Sequence, residues 1–352
     1  MTKHIRLLSA LSLSLVLSAP LLSHAAAGDE DVKKQKLINR SYDVTSEDKL
    51  KIDNQFGNVT VTTWDKQQIT VDIEIGASAA TEEKAQNIMD QIEVHEDKDD
   101  HEIYFKTDVN DIHNGNGDRH RSEEGKRSFY IDYVIHMPAA NPLYIENSFG
   151  KTAVPDMKGT VNLTSKFGSL TAGKLNDVDA IDVEFGTVVI SEITNGKIAL
   201  KFDKESKIGK INGDVKITSE FSHNVQFGVG DDIQDLSLFE SYSGIRMVID
   251  KSLSADIEVH TSFGNFHNES NVTINEHKED EGDYGPHFDK DYSGQAGDGK
   301  AKIKIKSSFG SVRLSYTGGN DEDGDDDKEK DKEKNKEKNK SRSSSISSVS
   351  VS

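Results

Sequence analysis

The sequence predicts an all-β protein: a single-stranded, β-helix-like solenoid with rungs of roughly 18–21 residues. One N-terminal amphipathic helix, a hairpin insertion and a disordered C-terminal tail complete the expected fold. Three observations support it. A Phe-Gly phrase recurs along the chain, apolar residues alternate on either side of it, and the alternation changes phase across it.

The phrase is clearest at Asn54-Gln55-Phe56-Gly57, Asn147-Ser148-Phe149-Gly150, Ser165-Lys166-Phe167-Gly168 and Val183-Glu184-Phe185-Gly186. Copies without the glycine follow at Phe202-Asp203, Phe221-Ser222 and Tyr242-Ser243, and full copies return at Phe263-Gly264 and Phe309-Gly310. From Phe149 the aromatic-to-aromatic steps are 18, 18, 17, 19, 21, 21 and 46 residues. Units near twenty residues cannot fold alone and bury their apolar face by stacking on neighbours. Eight such copies, about 4.8 Å apart, would stack to roughly 40 Å.

Six and four residues before each aromatic stand apolar pairs: Leu50 and Ile52, Leu143 and Ile145, Val161 and Leu163, Val215 and Ile217, Leu236 and Leu238, Ile257 and Val259, Ile303 and Ile305. A period of two is a β-strand with one face inward. After the phrase the apolar residues lie at plus three and plus five, as in Val59 and Val61, Leu170 and Ala172, Val188 and Ile190, Val312 and Leu314. A one-residue phase change would turn the core face outward unless the backbone bends. Glycine permits such a bend, so each rung reads as strand, glycine corner, strand, with the ring stacked in the core. Two residues before the aromatic, polar side chains share the core parity: Asn54, Asn147, Ser165, Ser219, Thr261 and Ser307. They are expected to form an inward hydrogen-bonded ladder.

The remaining elements fall into place around this repeat. Residues 1–25 read as a secretory signal, with Lys3 and Arg6 before an apolar run and Ser23 and Ala25 at the small-residue cleavage positions. Residues 29–142 hold a first rung and an N-terminal cap. In it, Thr81 is an N-cap for a helix burying Ala85, Ile88, Met89 and Ile92, and residues 102–107 and 128–136 read as a hairpin around a polar loop. Residues 143–317 hold the stacked rungs, with a protruding acidic loop near 267–299. Residues 318–352 are mixed-charge and Ser-rich with almost no apolar side chain, the composition of a disordered tail.

Composition removes several function classes. The 352 residues carry no cysteine, which excludes disulfides, thiolate metal sites and thiol catalysis. A net charge of −19 opposes nucleic-acid binding. His277, Asp283, His287, Asp289 and Asp291 in the acidic loop, and His113, Asp118 and His120 in the hairpin loop, are potential cation ligands without fixed ligand spacing. The mixed-charge tail carries Lys where an EF-hand requires its last Glu. No nucleophile elbow, phosphate loop or dinucleotide fingerprint is present, so no catalytic, cofactor-binding or metal residue is assigned and no cofactor is expected.

The opening Lys49-Leu50-Lys51-Ile52-Asp53-Asn54-Gln55-Phe56-Gly57 and the later Glu146-Asn147-Ser148-Phe149-Gly150, with a helix and hairpin between them, resemble the exported bacterial β-strand-repeat family known as "putative adhesin". The likeness spans about residues 37–316. It implies a β-solenoid, an envelope location and no established enzymatic activity, with no family site residues to carry over. The expected function is therefore a non-enzymatic envelope or cell-surface interaction module in the periplasm, on the surface or secreted. It would bind an envelope or surface protein or glycan through its solenoid faces, with no integral membrane span after signal cleavage. The alternative is a carbohydrate-active β-helix enzyme, because long β-helices also host polysaccharide chemistry.

Overall fold

A computed structural model of the chain describes residues 31–110, 128–277 and 288–317. The expected signal sequence, the charged tail, and the 111–127 segment with His113, Asp118 and His120 lie outside them, as do Asp283 and His287. Among the described residues the chain is nearly all β, with one short helix. Its 21 strands join in a single sheet that does not close into a barrel. No described helix is long and apolar enough to cross a membrane.

Strands β1 (Val32–Asp43), β2 (Lys49–Gln55), β3 (Val59–Trp64) and β4 (Gln68–Ala79) precede helix α1 (Glu82–Met89). Strands β5 (Ile92–Lys98), β6 (Glu102–Val109), β7 (Ser128–Pro138), β8 (Leu143–Ser148), β9 (Lys151–Val154) and β10 (Met157–Lys166) follow. Long strands β11 (Ser169–Glu184), β12 (Thr187–Lys201), β13 (Glu205–Glu220) and β14 (Val225–Ser241) each run from one aromatic corner to the next. The chain continues through β15 (Gly244–Ile249), β16 (Ala255–Ser262), β17 (Asn265–Asn268), β18 (Ile274–His277), β19 (Asp289–Ala296), β20 (Ala301–Ser308) and β21 (Ser311–Tyr316).

Corresponding parts of successive rungs pair in parallel and in register. One core column runs Ile52, Ile145, Leu163, Ile181, Ile198, Ile217, Leu238, Ile305 and Val259, each the backbone partner of the next. All nine are buried. Beyond the corner a second column runs Val154, Ala172, Ile190, Ile208, Phe227, Met247 and Leu314, again buried throughout. Each fully buried Ile or Leu contributes about 1.5–3 kcal/mol. The phase change read from the sequence is therefore real, and both parities deliver their apolar side chains inward.

The N-terminal cap departs from the expected hairpin. Strands β6 and β7 do not pair with each other; β6 pairs in parallel with β2, and β7 with β3. They lie against the two arms of the Phe56 rung, on either side of its corner. The antiparallel partners are instead β5 for β6 and β4 for β7, with β1 closing on β4. Helix α1 is capped as expected, Thr81 accepting from the Lys84 N–H at 3.3 Å, and it buries Ala85 and Ile88.

At the other end, residues 267–299 do not form a protruding loop throughout. Strand β19 runs antiparallel along β16 and carries β18 on its far side, so this excursion covers a sheet edge. The spatial order also departs from the chain order. The last rung, β20 and β21, lies between the Tyr242 rung and the Phe263 rung: β20 pairs with β14 and β16, and β21 with β15 and β17.

Candidate functional site

Every corner is turned by its aromatic residue, not by its glycine. Phe56, Phe149, Phe167, Phe185, Phe202, Phe221, Tyr242, Phe263 and Phe309 all have φ between 52° and 64°, the left-handed region, whereas none of the glycines that follow them does. The backbone repeats through eight of these nine turns. The N–H of each aromatic but Phe263 donates to the carbonyl of the residue preceding a neighbouring rung's aromatic, as in Phe149 to Lys166, Phe167 to Glu184 and Phe202 to Glu220, at 2.9–3.0 Å, whereas Phe263 donates to the Phe288 carbonyl at 3.1 Å.

Left-handed φ rotates the ring out of the core, which corrects the expected interior position. Phe149, Phe167, Phe185, Phe202, Phe221, Tyr242, Phe263 and Phe309 are 45–52% exposed. They form one file of stacked rings: Phe56, Phe149, Phe167, Phe185, Phe202, Phe221, Tyr242, Phe309, Phe263 and Phe288. Successive centroids are 4.5–5.2 Å apart. From Phe56 to Phe263 the planes lie within 6° of parallel. Nine steps give a file roughly 45 Å long. Left-handed backbone costs a non-glycine residue about 1–2 kcal/mol. One stacked pair returns about 0.5–1.5 kcal/mol, so stacking does little more than offset the strain. About half of every side chain in the file except Phe56 is left in water.

The glycines serve close approach. A Cβ at Gly168 would lie 1.9 Å from the Gly150 carbonyl oxygen, and one at Gly150 would lie 1.7 Å from that of Gly57. Where the glycine is missing, a small polar side chain turns inward and takes up the neighbouring backbone. Gly186 N–H donates to Asp203 Oδ1 at 2.9 Å, Asp203 N–H to Ser222 Oγ at 3.1 Å, and Ser222 N–H to Ser243 Oγ at 3.1 Å. Ser243 N–H then donates to Glu240 Oε1 at 2.6 Å, and Ser307 Oγ donates to Glu240 Oε2. Burial raises the Asp203 carboxyl to about 6 despite the hydrogen bonds from Gly186 and Ser206. Glu240 is likewise raised by burial. Both carboxyls are almost wholly enclosed and bonded within the corner column, so they hold structure together and do not face a substrate.

The six polar residues expected to face inward are all buried. Asn54 Nδ2 donates to Asn147 Oδ1 at 3.2 Å, and Ser219 Oγ to Ser243 Oγ at 3.1 Å. Ser165 Oγ and Thr261 Oγ1 have no partner, so the ladder is segmented and not continuous. Beyond Ser165 it breaks because Val183 and Leu200 occupy the same column and offer nothing to bond.

Outward residues form straight rows across the rungs. Beyond the corner one row reads Lys207, Gln226, Arg246, Arg313 and His267 on five adjacent strands. Lys207, Gln226, Arg246 and Arg313, with His223 and Glu205, line an open groove of about 480 Å³. Arg246 Nε donates to Ser315 Oγ at 3.3 Å, and Arg313 pairs with Glu269 at 3.3 Å. This cationic row on a chain of net charge −19 was missed in the sequence, because its members lie 19 to 67 residues apart and only stacking aligns them.

The described members of the acidic loop do not converge on a cation site. His277 is bonded to Ser293 Oγ at 2.6 Å, Asp289 accepts from Ser262 Oγ at 2.6 Å, and Asp291 pairs with His260 at 2.8 Å. Among the described residues no three His, Cys, Asp or Glu side chains gather as a metal site would require.

No family model matches the sequence, and no curated protein does. Similar solved structures include a "putative cell adhesion protein" from Clostridium sporogenes, 13% identical over 81% of this chain and 100% of that one, with a TM-score of 0.28. Others are a "putative adhesin" from Bacteroides fragilis, 12% identical over 80% and 97% with a TM-score of 0.30, and a "putative lipid binding protein" from Parabacteroides distasonis, 8% identical over 79% and 96% with a TM-score of 0.31.

Proposed function

We propose that this chain is an exported, non-enzymatic interaction protein of the cell envelope or surface, wound as a single-stranded β-solenoid. It binds through an outer face an extended envelope ligand that carries repeated negative charge. The basic row of Lys207, Arg246 and Arg313, with Gln226 within it and His267 at its end, is the observation behind this reading. Side chains repeating every ~4.8 Å along a rigid sheet present a periodic surface that loses little conformational freedom on binding. Against a net charge of −19 such a row is a local reversal of sign, which gives register and specificity more than raw affinity.

The test is capture of envelope fractions by the purified chain and by the Arg246→Ala/Arg313→Ala double variant. Capture should be lost in the variant and should weaken as salt rises towards ~0.5 M, where screening reaches only a few Å. Equal capture by both proteins would remove the cationic row from the reading. In parallel, a polysaccharide panel would expose the enzymatic alternative, since new reducing ends abolished by a single-carboxylate substitution would overturn the non-enzymatic assignment.

A further inference from the structure

The exposed ring file and the charged row beside it are built to meet their own image. Eight consecutive rings, Phe56 to Phe309 in spatial order, are followed on one flank by the residues that immediately precede them. In backbone register these are Gln55, Ser148, Lys166, Glu184, Lys201, Glu220, Ser241 and Ser308. Over these eight the row reads neutral, neutral, plus, minus, plus, minus, neutral, neutral, and it continues to the neutral Ser262 beside Phe263. Reversed end for end, it is the complement of itself.

We propose that a second copy of this chain packs on the ring file, with the two files antiparallel. The two-fold axis passes between the Phe185 and Phe202 rungs. Such an axis lies in the interface and crosses the file, so the charged row of one copy meets the same row of the other in reverse order. Lys166 then faces Glu220, Glu184 faces Lys201, Ser148 faces Ser241 and Gln55 faces Ser308. On the other flank Lys151, Ser169, Thr187, Glu205, Asn224 and Gly244 stand in successive rungs, and reversal about the same axis brings no two like charges together. Parallel files would set the charged row against this second flank and leave Lys166, Glu184 and Glu220 opposite neutral residues.

The areas agree with a stable pair. Seven of these eight side chains, all but Phe56, are about half exposed, which is roughly 700 Å² of apolar surface per copy, above the few hundred Å² usual for a monomer's largest patch. A standard interface buries about 800 Å² per partner, which the rings and their charged flank supply together. The ring faces are covered by one another, and the edges are what a partner meets. This disfavours sugar stacking, which needs open faces, and suits a second file with the same 5 Å period.

The inference does not depend on the envelope reading, and its test is separate. Sedimentation velocity of the purified chain should show a concentration-dependent two-copy species. Phe185→Asn/Phe202→Asn keeps the fold, because Asn accepts left-handed φ, and should abolish that species. Lys201→Glu alone and Glu184→Lys alone each place like charges at the centre of the interface and should weaken association about tenfold or more. Mixing the two single variants restores every opposite-charge contact, so the mixture should associate as well as the wild type. Circular dichroism on each variant verifies folding. A wild-type chain that stays monomeric at ~100 µM overturns the proposal, as does a two-copy species that ignores the central charges and gains nothing on mixing. A monomer whose ring file instead takes up fatty-acid probe, lost in Phe185→Asn/Phe202→Asn, also overturns it in favour of an apolar ligand.

Discussion

Two kinds of corner turn the same backbone. At Phe149-Gly150, Phe167-Gly168 and Phe185-Gly186 the residue after the ring has no side chain; at Phe202-Asp203, Phe221-Ser222 and Tyr242-Ser243 it has a polar one. The ring's φ is alike in both groups, and so is the hydrogen bond from its N–H to the next rung. The difference lies inside. Glycine corners close until a Cβ would strike the adjacent carbonyl, whereas polar corners fill the same place with a side chain that receives the neighbouring N–H. The lesson is that the aromatic fixes the turn and the following residue only settles how the interior is filled.

The comparison breaks first at Gly168. A Gly168→Ala substitution should destabilise the fold by about 3 kcal/mol or more, because the obstacle is backbone oxygen at 1.9 Å on a sheet that cannot move locally. At Gly186 the nearest atom is 2.8 Å away, so Gly186→Ala should cost visibly less in urea unfolding. Equal losses would mean close approach is not the glycine's role. Next in size is Phe167. Phe167→Ala should cost about 1–2 kcal/mol, less than the 3–5 typical of a buried ring, and Phe167→Asn less again because it relieves the left-handed strain. A loss as large as that of a core aromatic would return the ring to the interior.

The polar corners are probed by Ser222→Ala, which strands the buried Asp203 N–H and should lower stability by about 1–2 kcal/mol. The smallest effect is one of pH. Asp203 binds its proton more tightly folded than unfolded, so ionisation opposes folding. The wild type's melting temperature should carry a falling contribution as pH rises from near 3.8 to about 6, and none above that. Asp203→Asn keeps the Oδ1 acceptor and should remove this contribution. An unchanged pH profile in Asp203→Asn would show that the carboxyl does not titrate in that window.

Much of this was legible in the sequence, and the misses share one physical cause. Period-two alternation identified core residues such as Leu50, Ile145 and Val215, because burial on a strand depends only on parity. Thr81 was legible because capping is local. The ring's position was not, since a residue at left-handed φ belongs to neither parity and its side chain leaves the strand plane. Assigning the bend to glycine followed from average propensities, which nine stacked aromatics override. The β6 and β7 arrangement, the place of the last rung and the cationic row are matters of stacking order. Nothing local to Glu102, Phe309 or Arg313 encodes the strand it will lie beside.

The rung that ends the described fold is also its keystone. With β20 and β21 set between two rungs made earlier in the chain, both neighbours present bare edges until residues 301–316 are available. Elongation alone therefore cannot complete the sheet in sequence order. Synthesis leaves a slot, and only a chain that extends through Tyr316 fills it. A product cut short before Ala301 would keep two sticky edges facing one another across a gap, prone to closing wrongly or to capturing the strand of another molecule. Integrity of the C-terminal part is thus read out by the fold itself, as whether the gap is closed.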